Sequence, residues 1–79
     1  MSLDELSKGQ KVKVIKSFVD FDGTKINEGS EWTFDKYSYF PYDGGYTFYF
    51  NEGVMHMAEI SPDDYYVFEH ASEFFEPIP

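Results

Sequence analysis

Aromatic residues alternate with other residues through the middle of the chain. Between Glu31 and Phe50, ten of twenty side chains are aromatic, and a turn signal from Pro41 to Gly45 divides the segment. Successive side chains of a strand point to opposite faces, and glycine readily adopts the positive φ of a tight reversal. The pattern therefore predicts a β-hairpin around which the rest of the chain packs.

The alternation changes parity near Asp35. Trp32 and Phe34 share one parity, whereas Tyr37 and Tyr39 share the other. One extra residue in a strand has this effect, so we predict a β-bulge or a sharp bend at this position.

Sorting the rings between two faces yields a candidate binding surface. The rings expected in the core are those of Trp32, Phe34, Tyr46, Phe48 and Phe50. On that assumption, the outward face carries Tyr37, Tyr39, Tyr42 and Tyr49, close to Asp43. Tyrosine provides a large contact area at a low cost in rotamer entropy, so these five residues are the candidate partner-binding site. The alternative, which the sequence leaves open, is that the tyrosines pack beneath residues 20–30 or the C-terminal segment.

The remaining elements are short. Further strands are predicted over residues 10–18, 54–60 and 74–77, with the last at a sheet edge because it contains proline, and a capping box of Ser2 and Glu5 predicts a helical turn over residues 3–8. Residues 20–30 form a polar connection anchored by Ile26, and a second helix begins at Ser61–Asp64. We expect that helix to last about one turn, because Tyr65, Tyr66 and Val67 are poor helix formers, and Val67–Phe68 to pair as a strand. The buried face of residues 54–60 is not decided by periodicity.

These elements predict a mainly β fold, a small five-stranded SH3-like barrel with one or two short helical turns. Residues 1–79 form a single domain with an ordered core at about 8–77. The segments Lys8–Ile15, Glu28–Phe34 and Tyr42–Phe48 resemble a family of small stand-alone bacterial proteins of uncharacterised function. The resemblance covers roughly residues 6–77. Its motifs are turns and core positions, so it implies a fold and no activity.

Charge separates the two halves of the chain. The net charge is −9, and all six lysines lie in residues 1–36 together with seven acids, whereas residues 37–79 carry eight acids and no lysine. There is no arginine, so direct nucleic-acid binding is not expected. The acidic start of the chain and the lack of an apolar run of about 20 residues predict a cytoplasmic protein without membrane attachment.

Candidate catalytic and metal-binding residues are few. The spacing of Asp20, Asp22 and Glu31 partly matches an EF-hand loop, but Lys25 stands where that loop requires glycine. His56 and His70 lack neighbouring ligands, and cysteine is absent. We therefore predict no metal, no cofactor and no enzymatic activity.

The sequence favours a non-catalytic interaction module, a monomer or weak dimer that binds a protein partner. The specific hypothesis is an acidic immunity or inhibitor-type protein that binds a basic partner, with affinity that falls as salt rises. The alternative is a small-molecule or glycan-binding barrel in which a sugar ring stacks on Trp32 or on exposed tyrosines.

Overall fold

A computed structural model describes residues 2–79, apart from the side chain of Asp43, and shows seven strands, one α-helix and three 3₁₀ turns in that part of the chain. The strands are β1 (Lys11–Val14), β2 (Phe18–Val19), β3 (Lys25–Ile26), β4 (Glu31–Phe40), β5 (Gly45–Phe50), β6 (Gly53–Ala58) and β7 (Phe75–Ile78), and the helix is α1 (Pro62–Glu69). The 3₁₀ turns are Leu3–Glu5, Pro41–Asp43 and Ala71–Glu73. The predicted mainly β fold with short helical segments is confirmed.

Five strands form one antiparallel sheet in the order β6-β5-β4-β1-β7, and β2 pairs with β3 in a separate hairpin. The predicted barrel is not closed, because the edge strands β6 and β7 are not neighbours in any ladder of the described residues. The reason is that the outer edge of β6 is already occupied. The amide of His56 donates to Asp20 Oδ2 at 3.2 Å, its carbonyl accepts from the amide of Phe21 at 2.8 Å, and the amide of Ala58 donates to Asp64 Oδ2 at 3.3 Å.

The bulge predicted near Asp35 is present. Phe34 pairs with Phe50, but Lys36 pairs with Tyr49, so β4 uses two steps where β5 uses one. The extra residue is Asp35. A shift of one residue moves every following side chain to the other face of the strand.

Helix α1 is longer than expected and covers one face of the sheet. Its eight residues include Val67 and Phe68, so the prediction that these two form a strand is wrong. Both side chains are buried, and the Phe68 ring stacks on Tyr46 of β5 at 4.4 Å. Packing against the sheet thus outweighs the weak helix propensity of this segment. Pro62 at the start, with Asp63 and Asp64 in the first turn, confirms the predicted beginning of the helix.

The buried core lies between the sheet, α1 and the two terminal turns. Val12 and Val14 of β1 point into it, as do Leu3 and Leu6 beside the capping box of Ser2 and Glu5. Met55 and Met57 are buried while Val54 is exposed, which identifies the inward face of β6. The remaining buried side chains include Ile26, Phe34, Phe48, Phe50, Ala71, Phe74 and Phe75.

The N-terminal half is more segmented than predicted. The strand expected over residues 10–18 ends at Val14, and a second short strand begins at Phe18. Phe18 pairs with Ile26, so the segment expected to be a polar connection contains a small hairpin, anchored by Ile26 as predicted. No helix of residues 2–79 has the length and hydropathy that crossing a bilayer would require.

Candidate protein-binding site

Three tyrosines of the hairpin and one of α1 lie on the side of the sheet that α1 covers. In the ladder, Tyr37 pairs with Phe48 and Tyr39 pairs with Tyr46. Directly paired residues of neighbouring strands share a face, so Tyr37 and Tyr39 lie on the same side as the buried Phe48. Tyr65 reaches this surface from α1. We refer to Tyr37, Tyr39, Tyr46 and Tyr65 as the tyrosine cluster.

Tyr46 is the centre of the cluster. Its ring centroid lies 4.7 Å from that of Tyr39 and 6.1 Å from that of Tyr37, and it also stacks on Phe48 and Phe68. The Phe68 ring in turn lies 6.1 Å from that of Tyr65. Tyr46 is partly buried, whereas Tyr37, Tyr39 and Tyr65 are 43%, 41% and 39% exposed. The three outer rings are therefore supported from beneath and still present area to solvent.

Carboxylates surround the cluster. The hydroxyl of Tyr39 donates to Glu59 Oε2 at 2.6 Å, and this hydrogen bond raises the pKa of Tyr39 above 10.0. A hydrogen bond to Glu69 likewise raises the pKa of Tyr65. Burial, followed by the charges of Asp4 and Glu59, raises the pKa of Tyr46. The charged side chains that raise these three pKa values are carboxylates and, to a smaller extent, other tyrosines.

The hairpin turn positions Glu59. Its backbone amide donates to the carbonyl of Gly44 at 3.0 Å, which brings the residue after β6 against the start of β5. Gly45 has a φ of +124°, and a Cβ at this position would lie 3.0 Å from the Glu59 nitrogen. Only glycine allows this close approach without a backbone shift.

The arrangement is suited to binding a cation. Tyrosine rings attract ammonium and guanidinium groups through their faces, and nearby carboxylates add charge attraction. The exposed rings also offer apolar area for the aliphatic part of a lysine or arginine side chain.

The sequence-predicted site residues are separated by the bulge. Tyr37 and Tyr39 belong to the tyrosine cluster, but Tyr49 pairs with Lys36 and lies on the opposite face of the sheet. Tyr42 is fully exposed in the turn between β4 and β5. The side chain of Asp43 lies outside what the structure describes. The expectation that these residues share one outward face is therefore wrong, because Asp35 reverses the parity of everything after it in β4.

Two members of the cluster were missed by sequence reasoning. Tyr46 was assigned to the core alone, although a partly buried ring contributes to both core and surface. Tyr65 precedes Phe68 by three residues, a spacing that places both on one helix face, but this signal requires the helix to be longer than one turn.

The other polar candidates already contact side chains or amides of the same chain. Asp20 is buried and accepts hydrogen bonds from the amides of Thr24 and His56, and Asp22 lies 3.5 Å from His56 Nε2. His70 stacks on Tyr66 at 4.2 Å. Among the described residues, no group of three His, Asp or Glu side chains is arranged to hold a metal ion.

Trp32, the proposed platform for a sugar ring, is partly buried. Its Nε1 donates to Ser30 Oγ at 3.0 Å, and its ring packs edge-on against Phe50 at 5.6 Å.

Residues 3–79 match the family model described as a domain of unknown function, DUF3601. The chain belongs to this family. Its fold is similar to the structure of integron cassette protein VCH_CASS4 from the mobile metagenome of Vibrio cholerae, with a TM-score of 0.79 and 25% identity over 92% of this chain and 88% of that one. A comparison with curated proteins found no match. These similarities support a small domain of uncharacterised function.

Proposed function

We propose that this DUF3601 protein is a non-catalytic interaction module that binds a basic protein partner through the tyrosine cluster. In the specific version, it is an immunity or inhibitor-type protein that neutralises a cationic partner in the cytoplasm, as a monomer or weak dimer. The observation that carries the proposal is the placement of two exposed rings next to carboxylates, Tyr39 beside Glu59 and Tyr65 beside Glu69. The charge of Asp4 also acts on the central Tyr46.

The charge distribution supports this choice of partner. Residues 37–79 contain eight acids and no lysine or arginine, and they supply the cluster and two of its three carboxylates. Opposite charges accelerate encounter and orient the partners, whereas buried aromatic contacts slow dissociation. A basic partner would use both effects at this surface.

A cationic peptide is a suitable first probe. We would titrate the ¹⁵N-labelled chain with an arginine-rich peptide and follow backbone amides by NMR. Saturable shifts should concentrate at Tyr37, Tyr39, Glu59 and Tyr65, with little change at Tyr49 on the opposite face. Binding should weaken steeply as salt rises, because the charges involved are exposed. Shifts spread evenly over all acidic residues would contradict the proposal.

A charge-matched pair of double variants separates a site from net charge. Glu59→Gln with Glu69→Gln removes two charges at the cluster, and Glu31→Gln with Glu76→Gln removes two from exposed strand positions elsewhere. The first variant should lose about tenfold or more in affinity, equivalent to about 1.4 kcal/mol, and the second about twofold or less. Equal losses would show that only the total charge matters and would overturn the assignment of this surface.

The glycan-binding alternative has weaker support. The Nε1 of Trp32 donates a hydrogen bond to Ser30, and its ring packs against Phe50. The ring also covers Gly53, where a Cβ would come within 3.3 Å of it. Little of this ring is available for stacking on a sugar.

A further inference from the structure

A groove of about 400 Å³ lies between β2 and the C-terminal part of the fold, away from the residues of the tyrosine cluster. Its inner lining includes the buried rings of Phe18 and Phe74, and its outer lining includes the exposed side chains of Val19 and Tyr66. The volume falls within the range of about 300–1,000 Å³ that is usual for small-ligand pockets.

The aromatic lining is held in place before any ligand arrives. Phe18 and Phe74 pack edge-to-face at 5.5 Å. The Tyr66 ring stacks on His70 at 4.2 Å, and its hydroxyl lies 2.8 Å from both carboxylate oxygens of Glu73, to which it donates. A groove built from rings with fixed contacts loses little entropy when a flat apolar group enters it.

Two side chains of opposite charge, Lys16 and Asp63, also line the groove. The close ion pairs among the described side chains join Lys8 to Asp35 and His56 to Asp22, so neither Lys16 nor Asp63 is neutralised by such a partner. Lys16 Nζ instead lies 5.2 Å from the ring centroid of Phe74.

We propose that this groove binds a free α-amino acid with an aromatic side chain. The ligand's ring would pack against Val19 and Tyr66 and against the exposed edges of Phe18 and Phe74. Its carboxylate would meet the ammonium of Lys16, and its ammonium would meet the carboxylate of Asp63. One apolar lining with one positive and one negative group offers a contact to each of the three parts of such a zwitterion. This inference is independent of the tyrosine cluster and its partner.

The probe is L-phenylalanine, titrated into the ¹⁵N-labelled full chain. We expect saturable amide shifts at Val19, Tyr66 and Phe74 with a dissociation constant of about 1 mM or below. The analogues 3-phenylpropionate, which lacks the ammonium, and 2-phenylethylamine, which lacks the carboxylate, should each bind about tenfold more weakly. Absence of saturable shifts in the groove, or equal affinity for all three compounds, would overturn the proposal.

The chain offers a matched control for Lys16. Lys36 Nζ lies 5.5 Å from the ring centroid of Tyr49, a similar lysine–aromatic pair outside the groove. Lys16→Met should weaken L-phenylalanine binding by about tenfold, and Lys36→Met should leave it within about twofold. Asp63→Asn should abolish the preference for L-phenylalanine over 3-phenylpropionate. Equal effects of the two lysine variants, or a preference unchanged by Asp63→Asn, would contradict the assigned contacts, and the dispersion of each spectrum reports whether the variant is folded.

Discussion

The two faces of the β4–β5 hairpin carry similar residues and differ in what supports them. On one face, Tyr37 and Tyr39 adjoin Tyr46 and the helix, among carboxylates. On the other face, Tyr49 lies between Lys36 of β4 and Val54 of β6. The residue type is the same, but only the first face combines a buried ring, a covering helix and acidic neighbours. Position relative to the bulge, rather than tyrosine content, distinguishes the candidate site.

Deleting Asp35 should have the largest effect on the stability of this hairpin. Removal of the extra residue would keep Tyr37 opposite Phe48, but it would straighten β4, whose first residues pair with β1 and whose later residues pair with β5. We therefore expect no cooperative folding transition. Circular dichroism during chemical denaturation measures this.

The matched substitution Asp35→Ala keeps the bulge and removes only the 3.5 Å ion pair with Lys8. Both side chains are at least partly exposed, so it should cost about 0–1 kcal/mol. A stable, cooperative deletion variant would show that the fold does not require the bend of β4 at Asp35.

Truncating one ring on each face should give a graded difference. Phe68→Ala removes a buried ring that stacks on Tyr46, and should cost about 3–5 kcal/mol in the free energy of unfolding. Phe40→Ala removes a mostly exposed ring on the other face and should cost about 0.5 kcal/mol or less. Similar losses in urea denaturation would mean that the two faces contribute equally to stability.

Asp64 tests how the helix is joined to β6. Asp64→Ala leaves the amide of Ala58 without its acceptor and should cost about 1–3 kcal/mol. Asp64→Asn retains an acceptor oxygen and should cost less. Denaturation at neutral pH distinguishes the two variants, and equal losses would indicate that charge, rather than hydrogen bonding, is what Asp64 contributes.

The pH dependence of stability should also change in Asp64→Asn. Burial raises the pKa of Asp64 above its unfolded value of 3.8. The stabilising contribution is therefore full below the unfolded pKa and is lost as pH rises through the folded pKa. Asp64→Asn should lack this loss across that acidic window, as measured by thermal unfolding in a pH series. The same slope in both proteins would contradict a raised pKa.

The smallest effect concerns the Tyr39 hydroxyl. Glu59→Gln weakens the hydrogen bond and removes the charge that together raise the pKa of Tyr39, so that tyrosine should ionise at a lower pH than in the wild type. Absorbance titration of tyrosinate monitors the change, and Tyr39→Phe identifies which part of the curve belongs to this residue. Glu76→Gln is the control and should leave the curve unchanged.

Local patterns predicted most of the strands, and long-range packing decided the rest. The broken parity at Asp35 correctly indicated a bulge, but its consequence for Tyr37 and Tyr39 depends on which strand residues they face. The length of α1 depends on burial of Val67 and Phe68, for which local propensity gives no signal. The hydrogen bond from His56 to Asp20 spans 36 positions, so no sequence window contains both partners.

The occupied edge of β6 has a consequence for how the protein behaves at high concentration. A chain with 22% aromatic residues and no disulfide is prone to form cross-β fibrils if an unpaired edge strand is exposed to a second copy. Here the amides of His56 and Ala58 are satisfied by buried carboxylates, and β7 at the other edge contains Pro77. Both edges of the sheet are thereby protected against the addition of a strand from another copy. At β6 the protection comes from Asp20 and Asp64, two side chains that are themselves buried in the fold.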